Sequence, residues 1–326
     1  MYTYKTEASV LLFALCLSSI QTIQGWTTAR RSFVLSAHSP DTSDATQILL
    51  EHLQTQECEG LDTTQLGYDG AGLRGIFAKQ DFEPGGYICA VPFPATLLIE
   101  DSIDGDDSQA GLQFLETFYQ EDNYKYYMNC LPKIHDAQFD ATPDFWEESV
   151  IQELQIPRLI ETSLERKRET AHSLDLQWAT WIMCSRGFST FKINQDGSLQ
   201  RRTVLIPYLD MLNHDVSPNA SIEVVECPGS YQDSFYALQA LKSISAGEQI
   251  TIGYGIRETS LDLLSKYGFW IPDNPADDYI NWNMVDPQWT TTLEQDKATL
   301  ETTTDVTLRQ VLSLRIHLKQ LRSEQQ

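Results

Sequence analysis

The spacing of apolar and polar positions divides the chain into strand-rich and helix-rich stretches. Over 60–100, short apolar runs such as Tyr87 to Val91 and Thr96 to Ile99 stand between Gly70, Gly72, Gly75, Gly85 and Gly86, the punctuation of strands and turns. Over 101–185 an acidic, glycine-containing link (DSIDGDDSQAG) leads into helix-like stretches with apolar residues at Leu112, Leu115, Phe118 and Tyr119. Pro143 to Trp146 reads as a helix start, with Thr142 as the cap, Pro143 at the first position, and Glu147 and Glu148 in the first turn. Leu174 to Cys184 is apolar and rich in tryptophan, the pattern of a buried helix. Strand patterns return over 203–255 as VLIPYLDML, ASIEVVEC, SFYALQAL and QITIGYG. A short helix is predicted at 260–268. A polar terminal helix follows over 295–326, with apolar positions at Val311, Leu312, Leu314, Ile316, Leu318 and Leu321.

One spacing occurs twice. Ala78, Phe82, Gly85 and Ile88 are echoed 162 residues later by Ala240, Ile244, Gly247 and Ile250. Each copy reads as a strand, a tight glycine turn (Glu83-Pro84-Gly85-Gly86; Ser245-Ala246-Gly247-Glu248) and a returning strand.

At 326 residues, 41% hydrophobic and 10% aromatic, the chain can bury a sizeable core as one large domain or two smaller ones, and general disorder is excluded. No apolar run is long enough to span a bilayer, which excludes a polytopic membrane protein and any span in the mature chain. A formal charge of −23 argues against a nucleic-acid binder, because a basic face is needed to neutralise phosphates. It suits a lysine-rich protein partner and plain solubility equally. No two of Cys16, Cys58, Cys89, Cys130, Cys184 and Cys227 approach zinc-ligand spacing, and a disulfide framework is not expected. Ala8 to Ile20 has the length of a signal-peptide apolar region, which makes 1–25 a signal peptide with a cut after Gly25. Residues 26–45, opening on Trp26-Thr27-Thr28-Ala29-Arg30-Arg31-Ser32, form a transit-like or flexible segment. The combination resembles the bipartite presequence of algae with secondary plastids; a secreted or endomembrane-lumen destination is the alternative.

The usual catalytic signatures are missing: no G-x-S-x-G, no H-E-x-x-H, no Walker loop and no G-x-G-x-x-G. The six histidines (His38, His52, His135, His172, His214 and His317) show no metal-ligand pairing, so no metal is expected. An enzyme on a Rossmann-like sheet would need a glycine-rich first loop that the chain does not show. What remains is a set of separated segments. They are Arg74-Gly75-Ile76-Phe77-Ala78 with Phe82-Glu83-Pro84-Gly85; Tyr126-Tyr127-Met128-Asn129-Cys130-Leu131-Pro132; and Trp178-Ala179 running on to Ser185-Arg186-Gly187-Phe188. Ile206 to His214 (IPYLDMLNH) follows, then Gly247-Glu248-Gln249-Ile250, Gly253-Tyr254-Gly255 and Tyr267-Gly268-Phe269.

In content and order these segments resemble the SET-domain protein methyltransferases. The likeness is to the branch with a large helical insert, typified by the Rubisco large-subunit lysine methyltransferase and the actin histidine methyltransferase. It covers about 60–272. The resemblance implies an α+β fold of small antiparallel β-sheets with a pseudoknot, interrupted by a helical insert and followed by a short C-terminal helical segment. The parts are then 60–100 and 186–272 for the SET domain, 101–185 for the insert and 273–326 for a shortened helical C-terminus. It further implies S-adenosyl-L-methionine as cofactor, a lysine-bearing protein as substrate and a monomeric enzyme. Histidine as the nucleophile, and a catalytically weak module that binds peptide, are the alternatives. Tyr254 resembles the catalytic tyrosine of the transfer channel. Asn213 and His214 resemble the pair that meets the cofactor, Gly75 and Ile76 the backbone that approaches it, and Arg186 a partner for its carboxylate. Asp210, Phe188, Tyr267 and Phe269 are candidates for the wall of the site. The chemistry fits such a set: methyl transfer to an amine needs alignment and a neutral nucleophile, whereas free lysine has a pKa of about 10.4. Leu73 stands where the family usually has glycine, Gly72 lying one position earlier, and no C-x-C-x4-C tail of the histone-directed relatives is present.

Overall fold

The computed structural model describes residues 38–100, 107–193, 199–255 and 257–325. The signal-peptide reading of 1–25, the transit-like reading of 26–37 and the first half of the acidic link at 101–106 lie outside the described residues. Three small sheets carry the strands. The first orders β1 (Ser39–Pro40), β2 (Thr64–Tyr68), β3 (Arg74–Ala78), β11 (Gln249–Ile252) and β8 (Asn213–His214) side by side. The second is β4 (Tyr87–Pro92), β10 (Ser230–Ala240) and β9 (Ala220–Cys227); the third is β5 (Leu97–Glu100), β7 (Leu199–Leu205) and β6 (Phe188–Ile193). Every pairing is antiparallel except β11 with β8. The architecture is α+β, as expected.

The helices of two turns or more are α1 (Asp44–Thr55), α2 (Asp107–Phe114), α3 (Pro157–Thr170), α4 (Leu174–Arg186), α5 (Ser260–Tyr267), α6 (Leu293–Thr302) and α7 (Val306–Glu324). Their starts are chemically marked. Ser43, Ser173, Thr259, Thr292 and Asp305 each accept a first-turn backbone N–H, satisfying donors that a helix leaves free. Asp305 explains why the predicted terminal helix is two helices, since its cap restarts the chain after Thr303. The helix predicted from Pro143 is a single 3-10 turn, Pro143–Phe145. Thr142 makes no cap; its hydroxyl donates to Gln138 O, and buried Trp146, donating to Asp140 O, takes the chain out of the turn. Helix α2 begins inside the predicted link, with Asp107 in its first turn facing the helix dipole favourably. The run VLIPYLDML is a strand only as far as Leu205; Pro207 has no N–H for a ladder, Tyr208 stands at φ +79°, and Leu209–Met211 is a 3-10 turn.

The repeated spacing does not close into two hairpins. The Gly85 N–H donates to Ala240 O and the Gly247 N–H to Ala78 O, both at 2.7 Å. Phe82 and Ile244 exchange both of their backbone bonds, at 2.8 and 2.9 Å, and Ala240 N–H to Gly86 O is matched by Ala78 N–H to Glu248 O. Each bond has a counterpart with the copies exchanged. The two units therefore interlock about a local two-fold at Phe82 and Ile244, which pairs β3 with β11 and β4 with β10.

The main core runs from Leu49 and Leu53 on α1 through Ile76, Leu205 and Ile250 to Trp178 and Trp181 of the predicted buried helix α4. A second core, with Trp146, Ile151, Leu159, Leu264, Leu314 and Leu318, joins the insert to α5 and α7. The buried Arg315 on α7 donates to Asp296 on α6 and to Glu153 O of the insert, with Lys319 reaching the same Asp296. Cys58, Cys89, Cys130, Cys184 and Cys227 are all free thiols.

Candidate active site

Strand pairing does what no local segment could. Strand β11 lies between β3 and β8, with Ile250 opposite Ile76 and Thr251 opposite Asn213. Gly75 and Ile76 are thereby brought beside Asn213 and His214, and Asn213 Nδ2 donates at 2.8 Å to Arg74 O, 139 residues away in sequence. The Ile76 side chain is wholly buried, so only its backbone can face a ligand. A β-carbon on Gly75 would collide with Gln249 Nε2 and stand 2.7 Å from Asn213 Nδ2, so glycine is what lets both amides reach this point.

Asn219 clasps β11 from the other side. Its Oδ1 accepts the Thr251 N–H at 2.8 Å and its Nδ2 donates to Gln249 O at 2.9 Å, so one side chain takes the place of a neighbouring strand. Together with the Asp215 N–H to Ile252 O bond, this ties the 213–219 segment to the strand that leads into Tyr254.

Four of the predicted residues form a ring of rings. His214 lies 5.3 Å from Tyr254 and 6.3 Å from Phe269; Tyr267 lies 4.6 Å from Tyr254 and 6.1 Å from Phe269. Tyr254 is fixed at both ends: its N–H donates to His214 Nδ1 at 3.1 Å and its hydroxyl to Leu212 O at 2.8 Å. With Nδ1 accepting, neutral His214 carries its proton on Nε2, and burial lowers its pKa below the usual histidine value. Burial pushes the Tyr254 hydroxyl up to about 12; the charge of Arg186 opposes the shift and that of Asp210 adds to it. Tyr267 is raised further, by burial first and then by the Glu258 carboxylate.

Arg186 and Asp210 sit just beneath. Arg186 donates to Asp210 O at 2.9 Å, lies 3.4 Å from Asp210 Oδ2, and reaches Gln138 Oε1 at 3.3 Å. Its fork is thus engaged within the protein at the end of α4. Asp210 also accepts the hydroxyl of wholly buried Tyr127 at 2.8 Å, and burial raises its pKa despite Arg186. Phe188 opens β6 half-buried against the main core and is not one of the four rings.

The insert positions the aromatic wall. Gly268, between Tyr267 and Phe269, is left-handed at φ +75°, and a β-carbon there would stand 2.9 Å from the backbone of Ala141 and Thr142. Arg166 of α3 grips Asp144 with two bonds at 2.8 and 2.9 Å and donates to Ser265 O on α5 at 2.7 Å. Gly268→Ala combines the left-handed penalty with overpacking against backbone, and is expected to cost about 2–3 kcal/mol. Chemical denaturation measures this, and a loss below about 0.5 kcal/mol would contradict the contact.

Asn219, Gln249 and Tyr127 carry parts of this site that sequence reading left out as site residues. Tyr127 and Gln249 stand inside segments already singled out, and Asn219 offers only a second asparagine six positions after Asn213. Three polar atoms at the site, His214 Nε2, Gln249 Nε2 and Asp210 Oδ1, are enclosed without a protein partner. Such a group costs about 1–3 kcal/mol when left unsatisfied, so His214 Nε2 and Asp210 Oδ1 are each fitted to meet a polar ligand. Among the described residues no cluster of three His, Cys, Asp or Glu is placed to hold a metal ion. No helix among them is long and apolar enough to cross a membrane.

Known proteins resemble this chain in sequence and in fold. The Rubisco large-subunit N-methyltransferase, chloroplastic, of Nicotiana tabacum is 25% identical over 260 residues, 67% of this chain and 50% of that protein. The fructose-bisphosphate aldolase-lysine N-methyltransferase, chloroplastic, of Arabidopsis thaliana is 25% identical over 185 residues, 49% of this chain and 36% of that protein. The chain thus spans half or less of the length of these relatives. In three dimensions the SET domain of LSMT bound to lysine and AdoHcy superposes with a TM-score of 0.64 at 20% identity, covering 87% of this chain and 90% of that one. Residues 73–255 match the SET domain, more than half of the sequence. The chain belongs to the SET-domain family.

Proposed function

We propose that this chain is an S-adenosyl-L-methionine-dependent protein-lysine N-methyltransferase. The observation that carries the reading is the ring of His214, Tyr254, Tyr267 and Phe269 closed beside the Gly75–Asn213 junction. The backbone at Gly75 and Ile76, Asn213 and His214 would hold the cofactor, which supplies an electrophilic methyl group on a sulfonium, and Arg186 would offer it the N–H groups that Asp210 and Gln138 leave free. The protein's part is alignment. The Tyr254 hydroxyl spends its hydrogen on Leu212 O, which leaves oxygen lone pairs to accept an N–H of an incoming amine. The aromatic walls exclude water and disfavour an ammonium, so a lysine entering them is drawn towards its neutral, nucleophilic form. Phe188 and Asp210 complete the support, Asp210 by fixing Arg186 and Tyr127. Lysine is favoured by the names of the relatives, which are methyltransferases of Rubisco and of an aldolase lysine.

Calorimetry with the full chain tests the first half: wild type binds S-adenosylmethionine, and Asn213→Ala weakens binding at least about tenfold, the worth of one good hydrogen bond. Transfer of labelled methyl to plastid protein, followed by hydrolysis, tests the second, with methyllysine expected. Methylhistidine would overturn the choice of nucleophile. Binding of peptide without any methyl transfer would overturn the enzyme. We also infer plastid delivery, supported by the chloroplastic relatives and by the presequence pattern of 1–45. A fluorescent fusion of that segment imaged in the native cell should enter the plastid; arrest in the secretory lumen would refute this.

A further inference from the structure

Gln249 and Asn213 present their side-chain amides to the same place. Residues 249 and 251 share a face of β11, and Thr251 is the partner of Asn213, so both amides stand on one side of the sheet above Gly75. Each has its nitrogen against the point a Gly75 β-carbon would occupy. Asn213 is oriented without ambiguity, because Nδ2 donates to Arg74 O. Hydrogen-bonding capacity remains on both groups: Asn213 Nδ2 has a second N–H beyond its bond to Arg74 O, and Gln249 Nε2, which borders the same point, is enclosed with no partner. Rotating the Gln249 amide by half a turn exchanges Nε2 for Oε1 at the same place and lets the two groups pair.

We propose that Gln249 is a positioning residue for the cofactor: its Oε1 accepts the second N–H of Asn213, and this locks the Asn213 oxygen towards the ligand. The inference rests on the reading of the site as a cofactor site. Asn213 would then hold its amide by two bonds, one to Arg74 O and one to Gln249, with its own Oδ1 as the free acceptor. Gly75 makes the arrangement possible by leaving room for both groups.

The test separates acceptor from donor. Gln249→Met keeps length and volume but cannot accept, while Gln249→Glu keeps an acceptor and cannot donate. Calorimetric titration of the full chain with S-adenosylmethionine is expected to show about a tenfold weaker Kd for Gln249→Met. Gln249→Glu should stay within about threefold of wild type. Equal losses in both variants, a larger loss in Gln249→Glu, or no loss in either overturns the proposal; a larger loss in Gln249→Glu would make Nε2 a donor to the ligand instead. A cofactor-free readout keeps this apart from failure of the functional reading. In side-chain amide NMR of the wild type, both Asn213 Nδ2 protons should be protected from exchange. One should be freed in Gln249→Met and protected again in Gln249→Glu. If protection is the same in all three, the proposal fails even where the cofactor binds. If wild type shows the protection pattern and binds no S-adenosylmethionine, it is the cofactor site that fails.

Discussion

Tyr254→Phe is expected to lower methyl transfer about 100-fold while leaving S-adenosylmethionine affinity within about twofold. The substitution removes one oxygen and leaves the ring, whose contacts with His214 and Tyr267 hold the wall in place. In the proposed function, what goes is the acceptor that aligns the amine, so the loss belongs in kcat rather than in cofactor binding. The pH dependence follows from the direction of the Tyr254 shift. A phenol raised to about 12 stays neutral until the pH nears that value, so Tyr254 is no base at ordinary pH. The rate should therefore climb with pH as the substrate amine loses its proton, and the climb should have the same shape in Tyr254→Phe at a lower level. A single-turnover pH series checks this. A limb of the profile between pH 7 and 9 that vanishes in Tyr254→Phe would give the hydroxyl an acid–base role and overturn the alignment account.

How much of this was legible before the structure depends on the range of the interaction concerned. Strand β9 (ASIEVVEC) and helix α4 were readable because alternation and an apolar tryptophan-rich run are local signals. The glycine turns of the repeated spacing were also readable, but not the exchange of partners between the copies. Turn chemistry fixes where a chain reverses and says nothing of which strand it meets. The apolar run through Tyr208 was read as one strand although Pro207 breaks its ladder, and burial fixes the turn that follows. Tyr208 is wholly buried, bonded to the Thr64 hydroxyl at 2.7 Å, and held at a positive φ that its packing over-determines. The motif residues Asn213, His214, Tyr254, Tyr267 and Phe269 could be picked out by their order along the chain, and folding brings them together. Arg186 met Asp210 and Gln138, partners that a helix-end arginine does not announce. Gln249 and Asn219 had no periodicity to reveal them; each acts on atoms about 30 residues or more away in sequence, across pairings that exist only in the folded chain.

Asn219→Ala is expected to be the most damaging single change to the fold of the site, costing about 3–5 kcal/mol. Asn219 is buried, and its side chain satisfies the Thr251 N–H and Gln249 O at once. Alanine leaves one buried donor and one buried acceptor without partners, each worth about 1–3 kcal/mol, on the strand that delivers Tyr254. The loss should therefore appear twice, in denaturant midpoint and in activity, and cofactor should recover little of it. Asn219→Asp supplies a signed control. Its carboxylate can still accept from Thr251, but its other oxygen then faces Gln249 O and Glu248 Oε1, the latter 3.2 Å from the present Nδ2. An acid so placed has its folded-state pKa raised above the unfolded value. The penalty is then absent below the unfolded pKa of about 3.9 and grows as pH rises through neutrality. Asn219→Asp should thus be closer to wild type in stability at pH 5 than at pH 8, whereas Asn219→Ala should show the same deficit at both. Parallel denaturation curves at the two pH values decide it. A pH-independent deficit for aspartate would contradict the placement of its second oxygen against Gln249 O and Glu248 Oε1, and no deficit for alanine would mean that the strand is held by backbone pairing alone.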